Sequence, residues 1–224
     1  VYKENIKTPL LHSSNDELAF PVLKLGETGT ITLSFDDFEG GVKNYYFTLI
    51  HCDINWNPSS VLSSYYLEGF DQDQISDYKY SFNTLRGYTH YWTVFPNEVM
   101  KPKLSGNYIL LVFLNNDRED IVLSKRFIVV EEQLEVTGKI SRPMSVDTRN
   151  YNQEVDFTVH IEKYPIADLY HELEVILLQN HRWDKRINNL KPSLIKDNHL
   201  IFDFNDENVF PGGNEFRRFD MRSL

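Results

Sequence analysis

Residues 78–113 read YKYSFNTLRGYTHYWTVFPNEVMKPKLSGNYILLVF, and this stretch decides the fold class. Two runs within it, Thr89–Phe95 and 107–113, are rich in the aromatic and branched residues that favour strands. A polar connection with two prolines joins the runs, and Ser105-Gly106 closes it. The stretch therefore predicts two strands separated by a surface loop at 97–103, and it contains no pattern typical of catalysis.

Similar short runs with a period of two residues continue on both sides of this stretch. In residues 30–35, TITLSF, Ile31, Leu33 and Phe35 alternate with polar residues, which predicts a half-buried strand. Turn residues separate the runs at the spacing found in β-sandwiches. The sequence predicts an all-β chain with two consecutive immunoglobulin-like β-sandwich domains. The remaining predicted strands lie at 44–54, 78–84, 121–130, 135–140, 155–161, 173–178, 200–204 and 215–222, with a polar hairpin loop at 115–120.

A charged break at residues 131–133 separates the two sets of strands. We therefore place the first domain at 1–131 and the second at 132–224. The second set contains about five runs and stops at Leu224 without a turn. The second domain is either an incomplete sandwich or continues beyond this chain.

Composition excludes several classes of function. The 224 residues carry a net charge of −10, which disfavours binding to nucleic acid or to an anionic membrane surface. No run approaches 18 apolar residues, so the sequence predicts no membrane-spanning helix. Cys52 is the only cysteine, which excludes an internal disulfide and a multi-cysteine zinc site. Because the sequence opens at Val1, we expect either a trimmed cytosolic protein or an exported one whose signal peptide has been removed.

The string His51-Cys52-Asp53 follows a predicted strand and resembles a metal or nucleophile site. His51 and Asp53 share one face of a strand, but the local sequence offers no third ligand, so a strand-end polar pair beside a buried thiol is favoured. Acidic loops at 36–41 and 203–208 have oxygen ligands suited to Ca²⁺. Their spacing matches no EF-hand, which favours solvated turns.

Aromatic residues suggest a sugar-stacking platform, although such residues in β-sandwiches mostly belong to cores. The residues concerned are Trp56, Trp92 and Trp183 with Tyr65, Tyr66 and Tyr91. The chain has no nucleophile elbow, phosphate loop, dinucleotide fingerprint or zinc-protease helix. The sequence therefore predicts a protein that is not an enzyme, with no catalytic residues, no cofactor, no metal site and no small-molecule substrate.

The string 208–217, NVFPGGNEFR, contains Pro211-Gly212-Gly213, which predicts a tight turn with positive φ. Such a turn fixes Phe210 and Phe216 on either side of a loop. The loop is either a structured turn or a contact surface for a partner.

Taken together and in order, many strings along the chain resemble a family of periplasmic β proteins, the type IX secretion system plug proteins, whose N-terminal region was first described as a domain of unknown function. The strings are Asn5–Thr8, Leu33–Asp37, Lys43–Tyr46, Ile50–Asp53 leading to Trp56, Tyr66–Phe70, Ser81–Thr84, Tyr88–Tyr91, Leu104–Tyr108, Leu178–Asn180 with Arg182–Asp184, and Asn208–Phe216.

The resemblance implies the N-terminal part of a longer exported protein that is periplasmic and peripheral to the outer membrane. It implies a catalytically inert body that seals the outer-membrane β-barrel translocon when no substrate occupies the channel. The loops at 55–59, 65–70 and 210–214 are the expected contact surface, since aromatic and glycine-rich loops often contact partners. The contact residues predicted in these loops are Trp56, Tyr65, Tyr66, Phe70, Phe210, Gly212 and Gly213.

Two alternatives remain open from the sequence. A glycan-binding or enzyme-accessory β-sandwich module predicts a shallow groove lined by exposed, coplanar aromatic rings. A metal-dependent hydrolase built on His51 and Asp53 requires a cleft with a third ligand close to both side chains.

Overall fold

A computed structural model describes residues 2–213 of the chain. Strands dominate it, which confirms the predicted all-β class. The chain divides into two compact units, Val1–Glu131 (unit 1) and Glu132–Leu224 (unit 2). That each unit is an independently folding domain stays a prediction. Among the described residues, no helix has the length and apolar character needed to cross a membrane.

Unit 1 contains two antiparallel sheets built from nine of its strands. The first has the order β1-β3-β8-β7 and the second the order β2-β11-β10-β4-β6, in which only β2 and β11 run parallel. The strands of the first sheet are β1 (Ile6–Ser13), β3 (Ile31–Asp37), β7 (Asp77–Tyr80) and β8 (Thr89–Phe95). Those of the second are β2 (Val22–Lys24), β4 (Tyr45–Cys52), β6 (Asp73–Ile75), β10 (Gly106–Leu114) and β11 (Asp117–Val130).

This strand order favours the immunoglobulin-like interpretation of unit 1. The main strands can be lettered A to G in the order in which they occur along the chain. The sheet β1-β3-β8-β7 then has the order ABED of that sandwich, and β11-β10-β4 has the order GFC. The hydroxyl of Tyr108, near the start of β10, donates a hydrogen bond of 2.7 Å to the Leu104 carbonyl. A tyrosine bonded back to the chain at this place is the tyrosine corner of such sandwiches. The string Leu104–Tyr108 carries the signal for it.

Aromatic rings fill the space between the two sheets of unit 1. Phe35 stacks on Tyr91 at 5.4 Å and meets the edge of Tyr45 at 5.0 Å between ring centroids. Phe127 contacts both Phe95 and Tyr108 at 5.2 Å. All six residues are fully buried. The stretch at 78–113 supplies three of the six from inward positions of its strands: Tyr91, Phe95 and Tyr108.

The connection at 97–103 differs from the predicted surface loop. It contains β9 (Met100–Pro102), which pairs with β5 (Leu67–Gly69). The strand β5 directly follows the single-turn helix α1 (Ser63–Tyr66). Met100 is fully buried, and Asn97 fixes the preceding turn by accepting hydrogen bonds from two backbone N–H groups through its Oδ1. The loop prediction was wrong because the two buried residues of this strand, Met100 and Pro102, alternate with lysines, and three residues are too few to show a period.

Unit 2 contains one larger sheet with the order β12-β13-β17-β16, and β18 pairs with the start of β13. A separate ribbon joins β14 to β15, with a short 3₁₀ turn at Trp183–Lys185 between them. Phe157 and Phe202 stack at 4.4 Å in its core. The strands are β12 (Glu135–Ser141), β13 (Asn152–His160), β14 (Ile176–Leu177), β15 (Ile187–Asn188), β16 (Leu194–Lys196), β17 (His199–Phe202) and β18 (Val209–Pro211).

One prediction for unit 2 was wrong, and another concerns residues outside the described range. Neither Gly212 nor Gly213 has a positive φ, so the predicted turn geometry was wrong. Glycine is required at 212 for another reason: its N–H donates to the Tyr151 carbonyl at 2.6 Å, and a Cβ would lie 2.5 Å from that oxygen. The strand predicted at 215–222 and Phe216 lie outside the described residues.

Candidate functional site

The segment that follows β4 holds most of the residues predicted to contact a partner. It runs from residue 51, at the end of β4, to residue 70, through α1 and β5. Its first part is a tight loop in which Asp53 Oδ1 accepts hydrogen bonds from the backbone N–H groups of Asn57 and Asn55 at 2.9 and 2.8 Å. These bonds, with Asn57 the largest contributor, hold the pKa of Asp53 below its ordinary value. Asp53 therefore acts as a loop cap.

His51 is held by hydrogen bonds at both ring nitrogens. Nδ1 lies 2.8 Å from the Ser59 hydroxyl, and Nε2 lies 3.2 Å from the Ser105 carbonyl. The ring meets the edge of Tyr108 at 5.2 Å. Neither His51 nor Asp53 belongs to a group of potential metal ligands among the described residues. Both side chains hold the loop in place, and the geometry removes the hydrolase interpretation.

Cys52 is the buried thiol that the favoured interpretation of this string predicts. Its side chain is 2% exposed and free of any disulfide. Burial raises the pKa of the thiol, so little of the reactive thiolate forms at neutral pH. The buried-thiol prediction is confirmed.

We expect Cys52 to react with an aromatic disulfide reagent roughly 100-fold more slowly in the native chain than in urea, because reaction requires local opening and a thiolate. A Ser64→Cys chain lacking Cys52 is the matched control, since Ser64 is exposed, and it should react at once under native conditions. Equal native rates for the two cysteines would contradict the burial of Cys52.

Three of the predicted contact residues are buried. Trp56 is 7% exposed, with the Arg126 guanidinium 4.7 Å from its ring centroid, and Tyr66 is also 7% exposed and packs against Tyr108. Phe210 is 5% exposed. These side chains belong to cores, and a partner can reach them only through their backbone.

The other predicted contact residues are exposed. Tyr65 is 69% exposed and Phe70 is 71% exposed, and Leu62, which the sequence reasoning missed, is 68% exposed. We call residues 62–70 the exposed apolar segment after these three exposed side chains; Tyr66 and Leu67 within it are buried. Gly212 and Gly213 are also exposed. Contact between any of these residues and a partner stays a prediction.

The aromatic platform of the glycan alternative has little support in the geometry. Trp56 is buried, and Trp92 is half-buried on the outer face of unit 1, stacked on His90 at 5.6 Å. Trp183 is half-buried in unit 2. None of the three indole rings is exposed as such a platform requires.

The two acidic loops, predicted as solvated turns, are not exposed along their whole length. Asp37 is fully buried, and its carboxylate accepts hydrogen bonds from Asn5 Nδ2 at 2.6 Å and the Tyr45 hydroxyl at 2.9 Å. Asp203, in the second loop, lies close to Glu154 and Asp156 of β13. Burial and then Asp156 raise the pKa of Glu154.

The geometry defines a class of protein, a β-sandwich body with an exposed apolar segment. Its His, Asp and Cys side chains at the end of β4 serve packing and loop structure. The family model described as the type 9 secretion system plug protein 1st domain matches residues 6–131. The chain belongs to this family, which confirms the resemblance found in the sequence.

A solved structure gives a second comparison. A crystal structure of a hypothetical protein from Parabacteroides merdae has a TM-score of 0.93 and 28% sequence identity with this chain. The match covers 100% of this chain and 56% of that one, so the chain spans little more than half the length of this relative. A search of curated proteins found no match.

Proposed function

We propose that the chain is the N-terminal part of a periplasmic, non-enzymatic protein that seals the outer-membrane translocon of the type IX secretion system. The observation that carries this proposal is the match of the plug family to residues 6–131, which span nearly all of unit 1. A further support is the way unit 1 is built. Side chains that would do chemistry in an enzyme, including His51 and Asp53, are engaged in holding loops.

A seal must be rigid enough not to open under thermal motion. Two features of unit 1 favour rigidity: the aromatic core between its two sheets and the tyrosine corner that ties β10 to the preceding turn. The net charge of −10 on the 224 residues favours solubility before docking.

The exposed apolar segment is the part of unit 1 that we assign to the translocon contact. Its exposed side chains stand on a fixed backbone, because Leu67 is buried and Lys103 N–H donates to the Tyr66 carbonyl at 2.9 Å. Binding costs less conformational entropy when the backbone of the contact segment is already ordered. Tyr65 and Phe70 are therefore well suited to act as anchors in an interface.

The test is co-purification of the full-length protein with the outer-membrane barrel from native cells in mild detergent. We expect the two to be recovered as one complex. Recovery of the free protein alone would overturn the proposal.

A paired substitution tests the contact surface separately. Tyr65→Ser with Phe70→Ser should lower recovery with the barrel at least tenfold, since truncating an anchor commonly costs 2 kcal/mol or more, about 30-fold in affinity. Phe82→Ser with Leu85→Ser is the matched control, because these side chains are 93% and 112% exposed in the loop between β7 and β8. Loss of the complex in the control pair alone would move the contact to that loop and leave the plug proposal standing.

A further inference from the structure

We propose that His160, Glu162 and His199 of unit 2 bind a zinc ion. One ligand atom from each residue lies within 4.8 Å of the other two. Two imidazoles and one carboxylate are a ligand set that suits Zn²⁺. The three residues belong to unit 2, whereas the exposed apolar segment belongs to unit 1, and the proposal does not depend on the plug function.

The sheet of unit 2 brings the two histidines together. His160 ends β13 and His199 begins β17, and they are directly opposite each other in the antiparallel ladder. Their ring centroids are 4.8 Å apart. The alternation of residues 155–161 already predicts that His160 points away from the core, but the sequence gives no sign of which residue lies across from it.

The backbone around the histidines is also fixed. The two-residue turn Asp197-Asn198 joins β16 to β17, with Asp197 at φ 52°, and places His199 at the start of its strand. Ile161 N–H donates to the Asn198 carbonyl at 2.9 Å, which holds this turn beside the end of β13. Glu162 follows directly after that bond.

The distances between ligand atoms are near those of a metal site. His199 Nε2 lies 3.3 Å from Glu162 Oε1, and His160 Nδ1 lies 4.0 Å from the same oxygen. Ligands about 2.0–2.1 Å from a tetrahedral zinc ion are roughly 3.3 Å apart. The His199–Glu162 distance already matches this value, and the His160–Glu162 distance is 0.7 Å longer.

Nδ1 is the ring nitrogen of His160 near Glu162, and Nε2 has a partner of its own. His160 Nε2 lies 2.9 Å from the Thr137 hydroxyl oxygen. With Nε2–H donating to Thr137, Nδ1 keeps its lone pair and directs it toward Glu162. Metal-bound histidines almost always have such a partner on their other nitrogen.

The side chains are partly exposed: 21% for His160, 46% for Glu162 and 42% for His199. An ion held by three protein ligands keeps a fourth position open, and here water can fill it. Bound zinc would join the end of β13 to the β16–β17 hairpin and so stabilise the sheet of unit 2.

The experiment is titration of the metal-free chain with Zn²⁺, followed by calorimetry and by thermal unfolding. We expect one zinc ion per chain and a higher unfolding midpoint, since binding to the folded state alone stabilises it. His199→Ala and Glu162→Gln should each weaken binding at least about 100-fold, and Thr137→Val about 10-fold. Mg²⁺ at the same concentration should produce no shift, because it prefers oxygen ligands.

His171→Ala is the matched control, because His171 is an exposed histidine of unit 2 bonded to Asp168. It should bind zinc as tightly as the unchanged chain. Absence of binding, or equal weakening in the control and the His199 variant, would overturn the proposal. Circular dichroism of each variant distinguishes lost ligands from lost folding.

Discussion

Replacing Gly69 by alanine is expected to lower the free energy of unfolding by about 3–4 kcal/mol, near the upper end for a single substitution. Gly69 has φ +91°, and a Cβ built on it would lie 2.1 Å from the Val99 carbonyl oxygen. That oxygen accepts the Phe70 N–H at 2.8 Å. Relief of the clash must separate β5 from β9, which also carries the fully buried Met100.

Gly40→Ala is the matched control for this prediction. Gly40 has φ +71°, and a Cβ there would have nothing within 4 Å. The control isolates the conformational cost of a positive φ, which is about 1–2 kcal/mol. Urea denaturation of both variants measures the difference, and equal losses would show that the β5–β9 ribbon is not as tightly joined as described.

The second large effect is expected at Asp37. Replacing it by asparagine should lower the free energy of unfolding by about 3 kcal/mol at pH 7. The carboxylate is fully buried at the end of β3 and forms an ion pair of 2.6 Å with Lys43. Burial raises the pKa of Asp37, but hydrogen bonds outweigh this effect and hold the pKa below its ordinary value. The donors are Lys43, Asn5, the Glu39 backbone N–H and the Tyr45 hydroxyl.

The pH dependence of this effect has a definite sign. Because the pKa is lowered by folding, the stabilisation by Asp37 is fully present above the unfolded-state pKa of about 3.9 and is lost as the pH falls through the folded-state pKa. The difference between the Asp37→Asn variant and the unchanged chain should therefore shrink below about pH 4.

Asp36→Asn is the control for this series. Asp36 lies on the opposite face of the same strand, where it pairs with His90 at 2.7 Å near the surface. Such pairs contribute up to about 1 kcal/mol. Denaturation at pH 7 and pH 3 gives the free energy of unfolding of both variants. If Asp37→Asn lowered it equally at the two pH values, Asp37 would not act as a buried charge.

The sequence predicts the central strands well because their side chains alternate strictly. β8 has its predicted bounds, Thr89–Phe95, since each inward position holds an aromatic residue or threonine. β1 escaped prediction because Thr8 has φ 48° and the register with β3 shifts between Lys7 and Leu10. A bulge breaks the period on which the prediction depends. The three-residue strands of unit 1, β2, β5, β6 and β9, are too short to show a period.

The candidate site is less accessible to prediction from sequence. Tyr65 and Tyr66 are adjacent and chemically identical, yet α1 directs one to solvent and the other to the core. Aromatic residues suit both environments, so composition cannot assign them. The His160–His199 pair depends on the register between β13 and β17, which forms across a long connection and is invisible in either strand alone.

Deletion of the gene in native cells tests the proposed sealing most directly, with entry of a hydrophilic dye too large for ordinary porins as the readout. If the protein seals the translocon, the deletion strain should admit the dye, and a plasmid copy of the full-length gene should restore exclusion. Unchanged exclusion of the dye in the deletion strain, with the barrel still present in the outer membrane, would contradict the proposed function.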